Sequence, residues 1–134
     1  MGEPTSPNLE GLDRWAFEPT RIDKPWGYEL WWATAEEYVG KLLFVKAGES
    51  LSLQFHNEKD ESWYILSGRA KIEIGAAGDP VRESEVVGQG SAFRLRPGTV
   101  HRVEGVEDTM IIEVSTNHLD DVVRLEDRYG RQGQ

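Results

Sequence analysis

The chain has 134 residues and a mass of 15.2 kDa, enough for one domain with a buried core. Its formal net charge of −9 and pI of about 4.8 argue against general nucleic-acid binding and against a polybasic membrane surface, both of which need an excess of Lys and Arg. The absence of cysteine excludes disulfides, thiolate metal sites and a cysteine nucleophile, and it fits a cytoplasmic protein.

In chain order, residues 1–21 read as a polar N-terminal arm, broken by Pro and Gly. A single domain follows over 22–131, and 132–134 form a tail. From "KPWGYELWW" onward, short runs rich in Trp, Tyr, Val, Ile and Leu alternate with Gly- and Pro-containing turns. Strands are expected at 28–33, 38–46, 51–56, 61–67, 70–74, 91–96, 100–103 and 109–115. Helical turns are expected only at 35–38 and in "HLDDVVRLEDRYG", where a short helix or an arm against the barrel fits the charged pattern. Many short strands at this spacing predict an all-β sandwich or barrel.

Alternation along a strand puts Ser52, Gln54 and His56 on one face, and Leu51, Leu53 and Phe55 on the other. Across the turn "NEKD", Glu61 shares its face with Trp63 and Ile65. If Glu61 looks toward His56, that face lines an internal cavity. The Leu51/Leu53/Phe55 face then needs a cover, from the N-terminal segment or from a second copy, and a homodimer is expected.

His101 arrives from far along the chain, just after a Pro97–Gly98 turn. Gln54, His56, Glu61 and His101 offer an amide oxygen, two imidazoles and a carboxylate, a suitable set for a divalent metal ion. Without a thiolate the set is moderately hard, and Zn, Mn, Fe and Ni all suit it. The plainer alternative is a hydrogen-bonded polar core.

These residues carry a family resemblance. "GESLSLQFHNEKDESWYILSG" resembles the first cupin motif through Gly48, Gln54, His56, Glu61 and Gly68. "GSAFRLRPGTVHRVEG" resembles the second through Gly90, Pro97, Gly98 and His101. Within the cupins, the stretch from "KPWGYE" through "SLQFH" and "PGTVHR" to "IIEVSTNHLDDVVRLEDRYGR" is most similar to the cupin domain of type II mannose-6-phosphate isomerases. The resemblance implies a double-stranded β-helix (jelly-roll barrel) and the isomerase part alone, without the nucleotidyltransferase domain that often precedes it. Three positions depart from the common cupin pattern: Gln54 in place of a histidine, Arg96 in place of a proline, and Gly105 in place of an asparagine. Gln54 is usual in the isomerases, and it counts against a three-histidine dioxygenase site.

The resemblance implies a metal-dependent aldose–ketose isomerase acting on a small phosphorylated sugar of the mannose-6-phosphate/fructose-6-phosphate type. Two other readings stay open: a cupin that binds a sugar or small acid without turnover, and a metalloenzyme of another class, such as a dioxygenase or decarboxylase. For isomerisation, Lys59 and Glu113 are the candidate proton-moving residues. Glu113 stands out because it interrupts "MIIEVS", as either a solvated acid or a carboxylate facing the cavity. Arg96 is the candidate phosphate contact together with Lys59. Trp63 reads as a core residue that can also serve as a sugar platform.

Overall fold

A computed structural model describes residues 15–133; the expected arm up to residue 14, and Gln134, lie outside the described residues. Eleven strands make up the fold: β1 (Thr20–Lys24), β2 (Gly27–Thr34), β3 (Tyr38–Val45), β4 (Leu53–Phe55), β5 (Glu61–Ser67), β6 (Arg69–Ala76), β7 (Arg82–Gly88), β8 (Ala92–Leu95), β9 (Thr99–Gly105), β10 (Thr109–Thr116) and β11 (Val123–Glu126). They form two antiparallel sheets, ordered β1-β2-β3-β10-β5-β8 and β11-β4-β9-β6-β7. This is the all-β cupin architecture that the sequence predicts. None of the described residues forms an α-helix, and no helix is long and apolar enough to cross a membrane.

Eight strands fall where alternation and turn residues place them, and β1, β7 and β11 are additional. All three are edge strands with largely exposed or half-buried side chains, so no burial pattern marks them. The helical expectation for the C-terminal segment is overturned at β11, which pairs antiparallel with β4 through Val123↔Phe55 and Arg124↔Gln54. Two physical factors favour the strand: β-branched Val122 and Val123 suit an extended backbone, and β4 has polar groups to satisfy at its edge. Residues 35–38 are likewise a bend leading into β3, with Ala35 N–H bonded to the Tyr38 carbonyl.

Apolar side chains from both sheets meet in the core, which holds Leu43, Val45, Ile65 and Ile111 from the first sheet and Ala70, Ile72 and Val103 from the second. The expected uncovered face of 51–55 is not observed. Regular strand begins only at Leu53, so Leu51 turns into the core, and Leu53 is itself 2 % exposed within the single chain. Phe55, the third residue of that face, is half-buried.

The strand register fixes what the cavity sees. Trp31, Lys41, Glu113, Trp63 and Phe93 form one cross-strand row on the first sheet. Ser115, Glu61 and Leu95 form the row beside it, and Leu43, Ile111 and Ile65 the row on the other side. Polar and apolar rows thus share one inward face.

Candidate metal centre

Glu61 opens β5 and His101 lies within β9, while His56 stands directly after β4 at the entrance of the connecting turn. The turn before His101 is built for rigidity. Thr99 N–H bonds the Arg96 carbonyl, with Pro97 and Gly98 between them and Gly98 at φ 83°. That is a type II turn, in which Pro presets the first central residue and Gly accepts the left-handed second one. Gly98 N–H also donates to the His56 carbonyl at 2.8 Å, so one turn holds both ligand segments. The Gly105 departure has a steric cause: a Cβ there would lie 2.6 Å from the Lys46 carbonyl oxygen.

The structure brings His56, Glu61 and His101 together, with one potential ligand atom of each within 4.8 Å of the others. Each residue is buried, at 4, 2 and 1 % exposure. His101 Nδ1 faces the Thr99 carbonyl at 2.9 Å, and His56 Nδ1 faces the Asp121 carbonyl. A carbonyl only accepts, so each Nδ1 carries a proton and each ring turns its Nε2 inward. Those two nitrogens lie 3.4 Å (His56) and 3.1 Å (His101) from Glu61 Oε1. All three atoms are buried and lack a hydrogen-bond partner.

Three potential metal ligands converge there without another partner, an arrangement that a cation would satisfy. The donor set therefore fits a divalent metal ion. Gln54 is the cross-strand neighbour of His101 and lines the cavity that leads to the cluster. Its Oε1 accepts from the Ser52 hydroxyl at 2.7 Å, leaving one lone pair.

Behind the cluster runs a chain of alternating charges. Lys59, which the sequence places in a polar turn, folds inward to 7 % exposure. Its Nζ lies 2.9 Å from Glu61 Oε2 and 3.2 Å from Glu113 Oε2. Glu113 Oε2 lies 4.0 Å from Lys41 Nζ, which donates to Glu29 Oε1 at 3.1 Å. The structure resolves the two orientations open to Glu113: it faces inward, with Oε1 accepting from Trp63 Nε1 at 3.0 Å.

Burial alone would push the Glu61 carboxyl up. The adjoining His101 and His56 rings, with the Lys59 charge, outweigh it and hold Glu61 well below the ordinary carboxylate range. Glu113 goes the other way, raised by burial and by the nearby Glu61 charge. Burial would lower Lys59, but Glu113 and Glu61 raise it above the ordinary lysine value, so it is an ammonium at neutral pH.

The cavity in front of the cluster opens between the sheets. Its wall carries Lys24, Lys41, Lys59, Arg124 and Arg131 against a single carboxylate, Glu29. Of the expected substrate contacts, Lys59 is on this wall, and Arg96 and Trp63 are not. Arg96 is exposed, because it starts the turn one residue past buried Leu95 and its side chain points outward. Trp63 is 2 % exposed core, edge-on to His101 at 5.6 Å between ring centroids, and it orients Glu113 instead of meeting a sugar. Glu113 also lies behind the wall.

Sequence reasoning missed Asp121, Glu29 and most of these cations. Asp121 caps the ligand turn. Its carboxylate accepts the backbone N–H groups of Asn57, Glu58 and Lys59 at 3.0, 2.6 and 2.9 Å. Lys41 did carry a signal: it alternates with Val39, Leu43 and Val45 on an otherwise apolar inner face.

Residues 15–127 match the family described as Mannose-6-phosphate isomerase C-terminal. The chain is 36% identical over 115 residues to the mannose-1-phosphate guanylyltransferase ManC of Salmonella typhimurium, a match spanning 82% of this chain and 23% of that protein. It is 30% identical over 116 residues to the xanthan biosynthesis protein XanB of Xanthomonas campestris, covering 83% of this chain and 24% of that one. The chain thus spans about a quarter of the length of the curated relatives it matches.

Among solved structures, the capsular polysaccharide assembling protein CapF of Staphylococcus aureus aligns with a TM-score of 0.68 at 16% identity, over 84% of this chain and 35% of that one. Oxalate decarboxylase of Bacillus subtilis aligns with a TM-score of 0.69 at 17% identity, over 81% of this chain and 30% of that one. At these identities the likeness is one of fold. With its family match covering most of the sequence and its two-sheet barrel, the chain belongs to the mannose-6-phosphate isomerase C-terminal family and has the cupin fold.

Proposed function

We propose that this domain is a metal-dependent sugar-phosphate isomerase of the mannose-6-phosphate/fructose-6-phosphate type. The observation that carries the reading is the set of three orphaned donor atoms on His56, Glu61 and His101 behind a cation-lined cavity. Family membership supports the substrate class. The guanylyltransferase names belong to proteins four times as long, and they say nothing of which reaction this quarter performs.

His56, Glu61 and His101 would hold the metal ion, with Gln54 as the proposed fourth ligand. Bound there, a divalent cation supplies Lewis-acid polarisation of a sugar carbonyl and stabilisation of the enediolate oxygen. Lys59, an ammonium on the cavity wall, hydrogen-bonds the same developing oxyanion, gives it a proton and regains one from the neighbouring hydroxyl as that oxygen becomes the new carbonyl. Glu113 acts through Lys59, fixing the ammonium from behind. Glu29, the carboxylate on the wall, is placed to take the proton from the carbon next to the carbonyl and return it to the neighbouring carbon. The electrons of the broken C–H bond form the enediolate, and no external oxidant or reductant is needed.

A second reading, a binding module without turnover, draws on one observation. Glu29 is already engaged by Trp31 Nε1 at 2.8 Å and by Lys41, and burial's upward push on its pKa is outweighed by these partners. A carboxylate so stabilised is a weak base. Incubating metal-loaded protein with mannose-6-phosphate in D₂O separates the two. Deuterium entering the carbon next to the carbonyl, abolished by chelation and by His101→Ala, supports the isomerase. Tight sugar-phosphate binding with no exchange overturns it in favour of the binding module.

A further inference from the structure

The outward sides of the two sheets carry opposite chemistry. On the second sheet they are charged: Glu73 of β6 meets Arg102 of β9 at 3.0 Å and Arg82 of β7 at 3.2 Å, and Lys71 stands opposite Glu104. On the first sheet, Leu30, Leu42, Ile112 and Tyr64 form one outward cross-strand row. Tyr28, Phe44 and Met110 form the next, with the Tyr28 and Phe44 rings stacked at 5.2 Å between centroids. On the other side of the first row, Trp32 lies across Gly40, where a Cβ would meet its indole at 2.5 Å, and Val114 is the cross-strand neighbour of Gly40.

Among the described residues, no charged side chain stands on the outward side of β2, β3, β10 or β5, although 29% of the chain is charged. Within this patch Trp32, Tyr64 and Val114 are 40, 42 and 51% exposed. Charge returns at its margins in balanced pairs. Arg21 meets Asp23 on β1 at 3.0 Å, with the guanidinium over the Tyr28 ring, and Arg94 of β8 meets Asp60 at 3.0 Å. An aromatic and aliphatic centre inside a polar rim is the anatomy of a protein interface, and an apolar patch of this extent is rare on a monomer.

We propose that this face pairs with the same face of a second copy, sheet against sheet, about 10 Å apart as in a β-sandwich. Size and charge both select a second copy. Strands of seven or eight residues, about 3.3 Å per residue and about 4.8 Å apart, outline roughly 500 Å² in plan over β2, β3, β10 and β5. The relief of the side chains and the edge strands β1 and β8 bring this near the ~800 Å² that each partner gives to a stable interface. Two copies of net charge −9 repel one another. Contact through this face is neutral at its centre and balanced at its rim, and it leaves the charged second sheets on opposite outer sides of the pair. A partner recognised by opposite charge would find nothing to pair with at this centre. The homodimer expected from residues 51–55 is thus assigned to a different face.

Sedimentation equilibrium of wild type, Val114→Glu and Tyr64→Lys tests this, together with hydroxyl-radical labelling of wild-type Trp32 and Tyr64 above and below the dissociation concentration. Wild type should be a dimer at micromolar concentration. Each substitution should weaken it at least about 100-fold, since the twofold places two unpaired charges in an apolar contact. Both positions are exposed in the single chain, so circular dichroism should be unchanged. Lys71→Ala, on the opposite outer side, should leave the dissociation constant within twofold. Labelling of Trp32 and Tyr64 should rise as the dimer is diluted, a readout that needs no variant to fold.

A wild-type monomer overturns the proposal: with Trp32 and Tyr64 protected, residues 1–14 of the chain itself are the cover, and with them labelled, no second copy is. A dimer that keeps its affinity in both variants, or whose dilution leaves the labelling unchanged, pairs through another surface and overturns it equally.

Discussion

Two adjacent rows of the same sheet make opposite uses of one inward face. Leu43, Ile111 and Ile65 pack as core, with Ile111 and Ile65 wholly buried. Two residues further along the same strands, Lys41, Glu113 and Trp63 form a charged and hydrogen-bonded row. Backbone, register and burial are nearly the same in both. A strand's alternation thus decides which residues go inside, and side-chain chemistry alone decides whether that inside is for stability or for a site. The charged row has a cost: each buried ion must be matched, because an unmatched one destabilises by several kcal/mol.

The largest expected effect tests the site end. His101→Ala removes one of three converging donors, so metal affinity measured by competition with a chromogenic chelator should fall more than about 100-fold, beyond what loss of a supporting group costs. Unchanged metal content in that variant would mean that the cluster holds no ion.

Next comes the charged row itself. Lys59→Met leaves Glu61 and Glu113 buried without their shared cation and should cost about 4 kcal/mol in urea unfolding. Adding Glu113→Gln removes one stranded charge and keeps an acceptor for Trp63 Nε1, so the double variant should be more stable than Lys59→Met alone. Additive losses would mean that the pair is not coupled.

In the apolar row, Ile111→Ala should cost about 3 kcal/mol through lost burial and a residual cavity. It should leave metal affinity within twofold, because Ile111 touches the site only through shared strands. A matching fall in metal affinity would erase the division between the rows.

How much of this division is legible in the sequence depends on whether a residue's role is set along one strand or between distant edges. The spacing of Gln54, His56 and Glu61 and the Pro97–Gly98 turn before His101 are local, and they mark the cluster in the chain itself. Glu113 is visible as a carboxylate in an apolar run, though alternation alone leaves its direction open. The cations of the cavity wall are not legible. Lys24, Arg124 and Arg131 sit in charged stretches that read as solvated surface, and only the fold brings them to one cavity. Arg96 shows the converse: nearness in sequence to a ligand turn suggests a place beside the site, while its side chain is exposed, one residue past buried Leu95.

Asp121 is the least legible residue of the site and carries the smallest expected effect. It lies in a segment where the sequence favours helical turns, yet its carboxylate gathers three N–H groups of the ligand turn while its carbonyl orients His56. Burial pushes its carboxyl up, and the three N–H groups together outweigh it and hold the pKa at about 2. A carboxyl whose folded pKa lies below its unfolded value near 3.9 stabilises the fold above that value. The contribution fades as pH falls from about 4 toward 2. Because the group is partly solvated, the effect is on the order of 1 kcal/mol. Asp121→Asn should therefore lower stability at pH 7 by that amount, and the gap to wild type should close near pH 2. Metal affinity should move less than tenfold, since the backbone carbonyl that orients His56 survives the substitution. A gap that persists unchanged at pH 2 would place the effect in packing and not in the charge.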